Sequence, residues 1–167
     1  MKEIKFDLDD VTIVPAIISN INSRSECNVE YKNRNILPLM AAPMDTVINH
    51  DNFKHYINNG IIACLPRGDY NYNSHDYKGK LFISFGLNEI EEQLLQYKSG
   101  IKNNQNHVFY NHSHILIDIA NGHMKRLENI VKEIKKHFPC IILMVGNVAH
   151  PLTYKNLAMA GADYVRL

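Results

Sequence analysis

The sequence predicts an α/β fold built on a parallel sheet, and three observations predict it. From residue 36 onward, short apolar runs alternate with longer helix-like segments, the pattern of consecutive βαβ units. The runs are strand length and rich in Ile, Val or Phe, residues that suit a buried pleated surface. Polar and charged residues gather where the runs end, and parallel α/β folds place their functional groups at those strand ends.

The predicted strands are Leu37 to Met40, Ile61 to Leu65, Leu81 to Phe85, Ile115 to Ile119, Ile141 to Val145 and Tyr164 to Leu167. Three helices lie between them. Asn88 to Lys98 carries acidic residues early and lysine late, as a helix dipole favours. Met124 to His137 places Leu127, Ile130, Val131, Ile134 and Phe138 at helical spacing and stops at Pro139. Leu152 to Ala160 ends at Gly161, a helix-capping residue. Asp69 to Lys80 and Gly100 to Ser113 read as polar loops. Residues 1–36 stand apart from this repeat, with VTIVPA and NVEYK expected as short strands outside the main sheet.

Bulk properties narrow the function. The 167 residues suit one domain, or one large piece of a bigger one. The chain is 46% hydrophobic and 21% charged, ordinary for a globular protein. Net charge is +1 and no Lys/Arg block exceeds two residues, so there is no electrostatic footprint for nucleic acid or an anionic membrane. No apolar run is long enough to span a bilayer, and MKEIKFDLDD has no signal-peptide core. Cys27, Cys64 and Cys140 are widely spaced and odd in number. That argues against a disulfide framework or a zinc site, and for a reducing, cytoplasmic setting.

The strand ends carry the candidate chemistry: Met44, Asp45 and Thr46, Pro66-Arg67-Gly68, Gly86, Asp118 with Ala120-Asn121-Gly122-His123, Gly146-Asn147, and Arg166. Several have plain structural alternatives. Asn121 can serve as a helix cap, Gly86 and Gly146 can permit turns, and Arg67 and Arg166 can be solvated surface charges. Asp118 is more pointed. In ILIDIA, Ile115, Ile117 and Ile119 take one face and Leu116, Asp118 and Ala120 the other, so the carboxylate is partly buried and needs a partner. His107, His112 and His114 crowd one loop without regular metal-ligand spacing. Cys64 has no accompanying base and reads as a core thiol.

Together the segments resemble the IMP dehydrogenase/GMP reductase family of purine-nucleotide oxidoreductases. FDLDDVTIVPA followed by NSRSEC is similar to the bacterial GMP reductase branch, and LPLMAAPMDTV resembles the family's first barrel strand and base loop. ILIDIANGH, LMVGNVAHP and GADYVRL resemble its fourth, fifth and sixth strands, in collinear order. No regulatory-domain insertion interrupts the second-to-third strand region, which also favours the reductase branch.

The resemblance implies an incomplete TIM (β/α)8 barrel, with residues 37–167 supplying strands one to six after an N-terminal extension over 1–36. It implies substrate-base contacts at Ala42, Met44 and Arg67, although Pro66 departs from the family pattern. It implies cofactor contacts at Asp118, Asn121, His123, Asn147 and Arg166. The implied cofactor is NADPH, or alternatively NAD, and the implied substrate is GMP or IMP. In the family the sixth strand leads into a G-x-G-x-x-x-C loop holding the catalytic cysteine, and the next two strands bear the phosphate site. None of the three cysteines here sits in such a motif. The expectation is therefore a chain inactive alone, which is completed by a second polypeptide, associates with identical chains, or is a truncated product, with no nucleic acid, membrane or metal involved. An IMP dehydrogenase-like portion, or a non-catalytic descendant serving as a nucleotide-binding or assembly module, are the alternatives.

Overall fold

The structure, a computed structural model, describes residues 8–27, 36–68, 72–77, 79–100 and 107–167. Six strands form one sheet in sequence order: β1 (Met40–Ala41), β2 (Ile62–Leu65), β3 (Leu81–Phe85), β4 (His114–Asp118), β5 (Ile142–Gly146) and β6 (Tyr164–Arg166). Every neighbouring pair is parallel. The helices are α1 (Phe53–Asn58), α2 (Leu87–Lys98), α3 (Val108–Asn111), α4 (Lys125–His137) and α5 (Pro151–Ala160). The result is a curled half-barrel of α/β type, an incomplete TIM barrel.

Alternation along the strands builds two apolar layers. Ala63, Leu65, Leu81, Ile83, Phe85, Ile115, Ile117, Leu143 and Val145 meet the helices, packing on Ile90 and Leu94 of α2 and on Leu127, Val131 and Ile134 of α4. Ile62, Cys64, Phe82, Leu116 and Met144 form a second cluster on the other face, joined by Ile36, Met40, Ile142 and Tyr164. The period of two read in ILIDIA is thus real: Ile115 and Ile117 go to the helix layer and Leu116 to the concave layer. α4 buries Leu127, Ile130, Val131 and Ile134 on one stripe, and Lys135, Lys136 and His137 sit in its last turn where the dipole favours cations. Ile134→Ala in this stripe is expected to cost about 2–5 kcal/mol of stability by denaturant unfolding, because the side chain is fully buried.

The Gly-Ala-Asp sequence before β6 has a structural explanation. Gly161 closes α5 in the left-handed region (φ 111°), and a Cβ there would come within 2.9 Å of Lys135 Cγ. Asp163 then accepts from the Leu143 backbone N–H and from Lys135 Nζ, both at 2.7 Å. The same lysine donates to the Ile141 carbonyl at 2.6 Å. This clip sets the start of β6 against β5. Asp163→Ala is expected to lower unfolding stability by about 1–3 kcal/mol, since it strands a backbone donor and a cation together.

Two expectations change. Val11 to Ala16 forms no strand: Ile13 and Val14 are 93% and 83% exposed, and Pro15 removes a ladder donor. The described part of the extension instead holds single 3-10 turns at Leu8–Asp10 and Arg24–Glu26, while NVEYK lies outside the described residues. The polar loops also hold short helical pieces, a 3-10 turn at Ser74–Tyr77 and α3. Ser74, fully buried, organises that region by accepting from the Ser113 N–H at 2.7 Å.

His107 and His112 belong to this structural layer. Both are buried, and among the described residues neither Nδ1 has a hydrogen-bond partner. His107 Nε2 faces the Gln93 carbonyl at 3.1 Å and so carries the ring proton. Burial, with His75 adding repulsion, pushes the His112 imidazolium down to about 4, and burial also lowers His107. The folded state therefore holds fewer protons than the unfolded chain once the pH drops below the usual histidine value. Stability is full above about pH 6.5 and is lost as the pH falls toward about 4. Denaturant unfolding across that window should show the loss, and His112→Phe should flatten it.

Candidate active site

The C-terminal ends of β4, β5 and β6 lie side by side, with Asp118 opposite Gly146 and Gly146 opposite Arg166 in the ladder. This register brings three predicted residues together. Arg166 Nη2 donates to Asp118 Oδ1 at 2.7 Å, and Arg166 Nε donates to Asn147 Oδ1. The side chains of Arg166 and Asp118 are 29% and 22% exposed, so the pair is partly shielded and oriented from both sides. Arg166 is not a solvated surface charge, and the partly buried carboxylate of Asp118 has the partner it needs. Asp118 Oδ2 and Asn147 Nδ2 have no hydrogen-bond partner among the described residues, leaving one acceptor and one donor for a ligand.

A cavity of about 580 Å³ opens beside this cluster. Ala42 and Met44 line it after β1, together with Asp118, Met144, Tyr164 and Arg166. Its wall is largely apolar, with the ionic pair on one side, a composition suited to a flat heterocycle carrying polar edges. Met144 and Tyr164 were not singled out from the sequence. Both could have been found by stepping two residues back from Gly146 and Arg166 on the same strand face.

Arg67 lies elsewhere. It lines a second cavity of about 630 Å³ with Gly68, Gly86, Asn88, Met124 and Arg126. Ile119 also borders that space, so the two cavities flank the end of β4. Arg126 is engaged by Glu91 and Asn88. Asn121 does not cap α4, whose N-cap is Met124; its Oδ1 accepts from the His123 N–H at 3.0 Å and shapes the β4–α4 loop. His123 is anchored to the β5–α5 side by Ala149 and Thr153.

Cys64 and Cys140 both lie away from this cluster's chemistry. Cys64 is fully buried, 3.4 Å from Ser84 Oγ, and burial pushes its thiol up to about 12. It stays protonated at neutral pH and unreactive. Cys140 is exposed but precedes β5, at the opposite end of the sheet from Asp118. Among the described residues, no three His, Cys, Asp or Glu side chains form a group able to hold a metal ion.

The IMP dehydrogenase / GMP reductase domain model matches residues 71–167, covering β3 to β6 and every member of the Asp118–Asn147–Arg166 cluster. The chain belongs to this family. It is 30% identical over 179 residues to a GMP reductase from Bacillus thuringiensis (strain Al Hakam), an overlap covering 100% of this chain and 51% of that protein. A GMP reductase from Shouchella clausii is 30% identical over 180 residues, with the same coverage. One from Staphylococcus saprophyticus is 30% identical over 174 residues, covering 97% of this chain and 50% of that protein. The chain thus spans about half the length of the curated relatives it matches.

Proposed function

We propose that this family member contributes the base- and cofactor-contacting half of a purine-nucleotide oxidoreductase of the GMP reductase type, in which NADPH reduces GMP to IMP with loss of ammonia. The observation that carries the reading is the Asp118–Arg166–Asn147 cluster at adjoining strand ends, inside the segment the family model matches. The residues fit a nicotinamide nucleotide: the unpartnered Asp118 Oδ2 can accept from a ribose hydroxyl, and Asn147 Nδ2 can donate to a carboxamide oxygen. When bound, the reduced nicotinamide supplies the hydride.

Each side chain then has a physical task. Arg166 donates to both Asp118 and Asn147, so the two groups are oriented before the ligand arrives. Asn121 and His123 shape the loop on the same side. Met44 and Ala42 wall the space for the purine, and the apolar surface around Met144 excludes water from it. Arg67, facing the second cavity, serves a more distant part of the ligands. The covalent step, in which a thiolate attacks the purine C2 and the amino group leaves, needs a cysteine on a segment other than these six strands. In this reading a further segment, on this polypeptide or on another, supplies the remaining strands, residues 1–36 form an extension and 37–167 the partial barrel, and the cytoplasm is its setting. No helix of the described residues is long and apolar enough to cross a membrane.

Calorimetric titration of the purified chain with NADPH, NADH, GMP and IMP tests the proposal. Binding of NADPH or NADH, weakened by Asp118→Ala, supports it. Binding of neither dinucleotide, with the fold intact by circular dichroism, removes the cofactor role from this half.

A further inference from the structure

The strand ladder between β4 and β5 does not stop at the strand ends. Ile119 N–H donates to the Gly146 carbonyl at 2.8 Å, Asn147 N–H to the Ile119 carbonyl at 2.6 Å, and Gly122 N–H to the Asn147 carbonyl at 2.7 Å. The next contact is made by a side chain. Ala149 N–H donates to His123 Nε2 at 3.1 Å, and His123 Nδ1 lies 2.9 Å from Thr153 Oγ1 on α5. A backbone N–H can only donate, so Nε2 must be the bare nitrogen. The ring of neutral His123 therefore carries its proton on Nδ1 and donates it to Thr153. Both ring nitrogens are committed to the protein, and neither is left for a ligand.

We propose that His123 and Thr153 are a pair of positioning residues that clamp the β4–α4 loop onto the β5–α5 loop and so hold Asn147. Asn147 is fixed from three directions: its N–H and carbonyl by the β4–α4 loop, and its side chain by Arg166. The His123 bridge closes the far end of this zipper, two residues beyond Asn147, and Thr153 anchors the bridge to a helix. Thr153 acts without touching the ligand, through His123 and then through the backbone of Asn147. The inference rests on the cofactor reading above only for its consequence, that loosening the clamp weakens dinucleotide binding.

The test uses the intact chain and two variants. Thr153→Val removes the acceptor oxygen at nearly constant shape, and Thr153→Ser restores it. Nitrogen NMR of histidine-labelled chain is expected to show neutral His123 protonated on Nδ1. Solvent exchange of the Gly122 N–H and the Arg166 Nε–H is expected to quicken about fivefold in Thr153→Val, the loss of one hydrogen bond, and to stay at the parent rate in Thr153→Ser. A His123 proton on Nε2 in the parent overturns the clamp. So does unchanged exchange in Thr153→Val. NADPH titration of the same samples should show the same rank order. If the parent binds no dinucleotide, the cofactor reading fails, while the tautomer and exchange results still decide the clamp.

Discussion

Asp118→Ala is expected to weaken NADPH binding by about 10–100-fold, the largest functional effect of any single substitution in this chain. The substitution deletes the acceptor offered to the ligand and leaves the Arg166 guanidinium, only 29% exposed, without its carboxylate. A charge-assisted hydrogen bond contributes more than a neutral one, and removing one member of a shielded pair also leaves the other poorly solvated. Asp118→Asn should fall between parent and alanine, because it keeps an acceptor oxygen but loses the charge. Titration calorimetry of the three proteins checks the order. Equal affinities would remove Asp118 from the site.

Gly122→Ala is expected to be almost as damaging although it adds one methyl group. A Cβ at this position would stand 2.6 Å from the Asn147 carbonyl oxygen and 2.6 Å from Val148 Cγ1. The first neighbour is backbone, so relief requires the two loops to part and the Gly122–Asn147 hydrogen bond to break. The expected cost is about 1–3 kcal/mol of stability, with at least about tenfold weaker dinucleotide binding because Asn147 moves. Unfolding and binding measured on one preparation separate the two effects.

The central strands β2 to β5 were legible in the sequence because they are largely buried on both faces and read as continuous apolar runs, with β3 matching to the residue. β1, by contrast, starts only at the last residue of the predicted Leu37 to Met40 run. α2, α4 and α5 were legible to within a residue of each end, since α4 in particular carries a long apolar stripe. α1 and α3 were missed. At six and four residues they are too short for a helical period to register. Val11 to Ala16 misled in the opposite sense: its β-branched residues have strand propensity, but propensity without a partner strand makes no ladder.

The candidate site divides along the same line. Asp118 stood out because a carboxylate interrupts an apolar alternation, and its need for a partner followed from burial alone. That the partner is Arg166, 48 residues away, depends on the β4–β5–β6 register, which no local pattern reveals. Thr153 carried no signal at all, being one hydroxyl within the predicted helix Leu152 to Ala160. Arg67 was grouped with Met44 by resemblance, whereas the fold sets it with Arg126 on the other side of β4.

The central claim is that this chain supplies nucleotide contacts while the nucleophile comes from another segment. Its most direct test is a GMP- and NADPH-dependent turnover assay, run on the purified chain and on the complex captured with a tagged copy from its native source. The account predicts no turnover by the chain alone, and NADPH oxidation with ammonia release by a complex that contains a cysteine-bearing partner segment, greatly reduced when the tagged copy carries Asp118→Ala. Turnover by the isolated chain, or equal turnover by the parent and Asp118→Ala complexes, would contradict it.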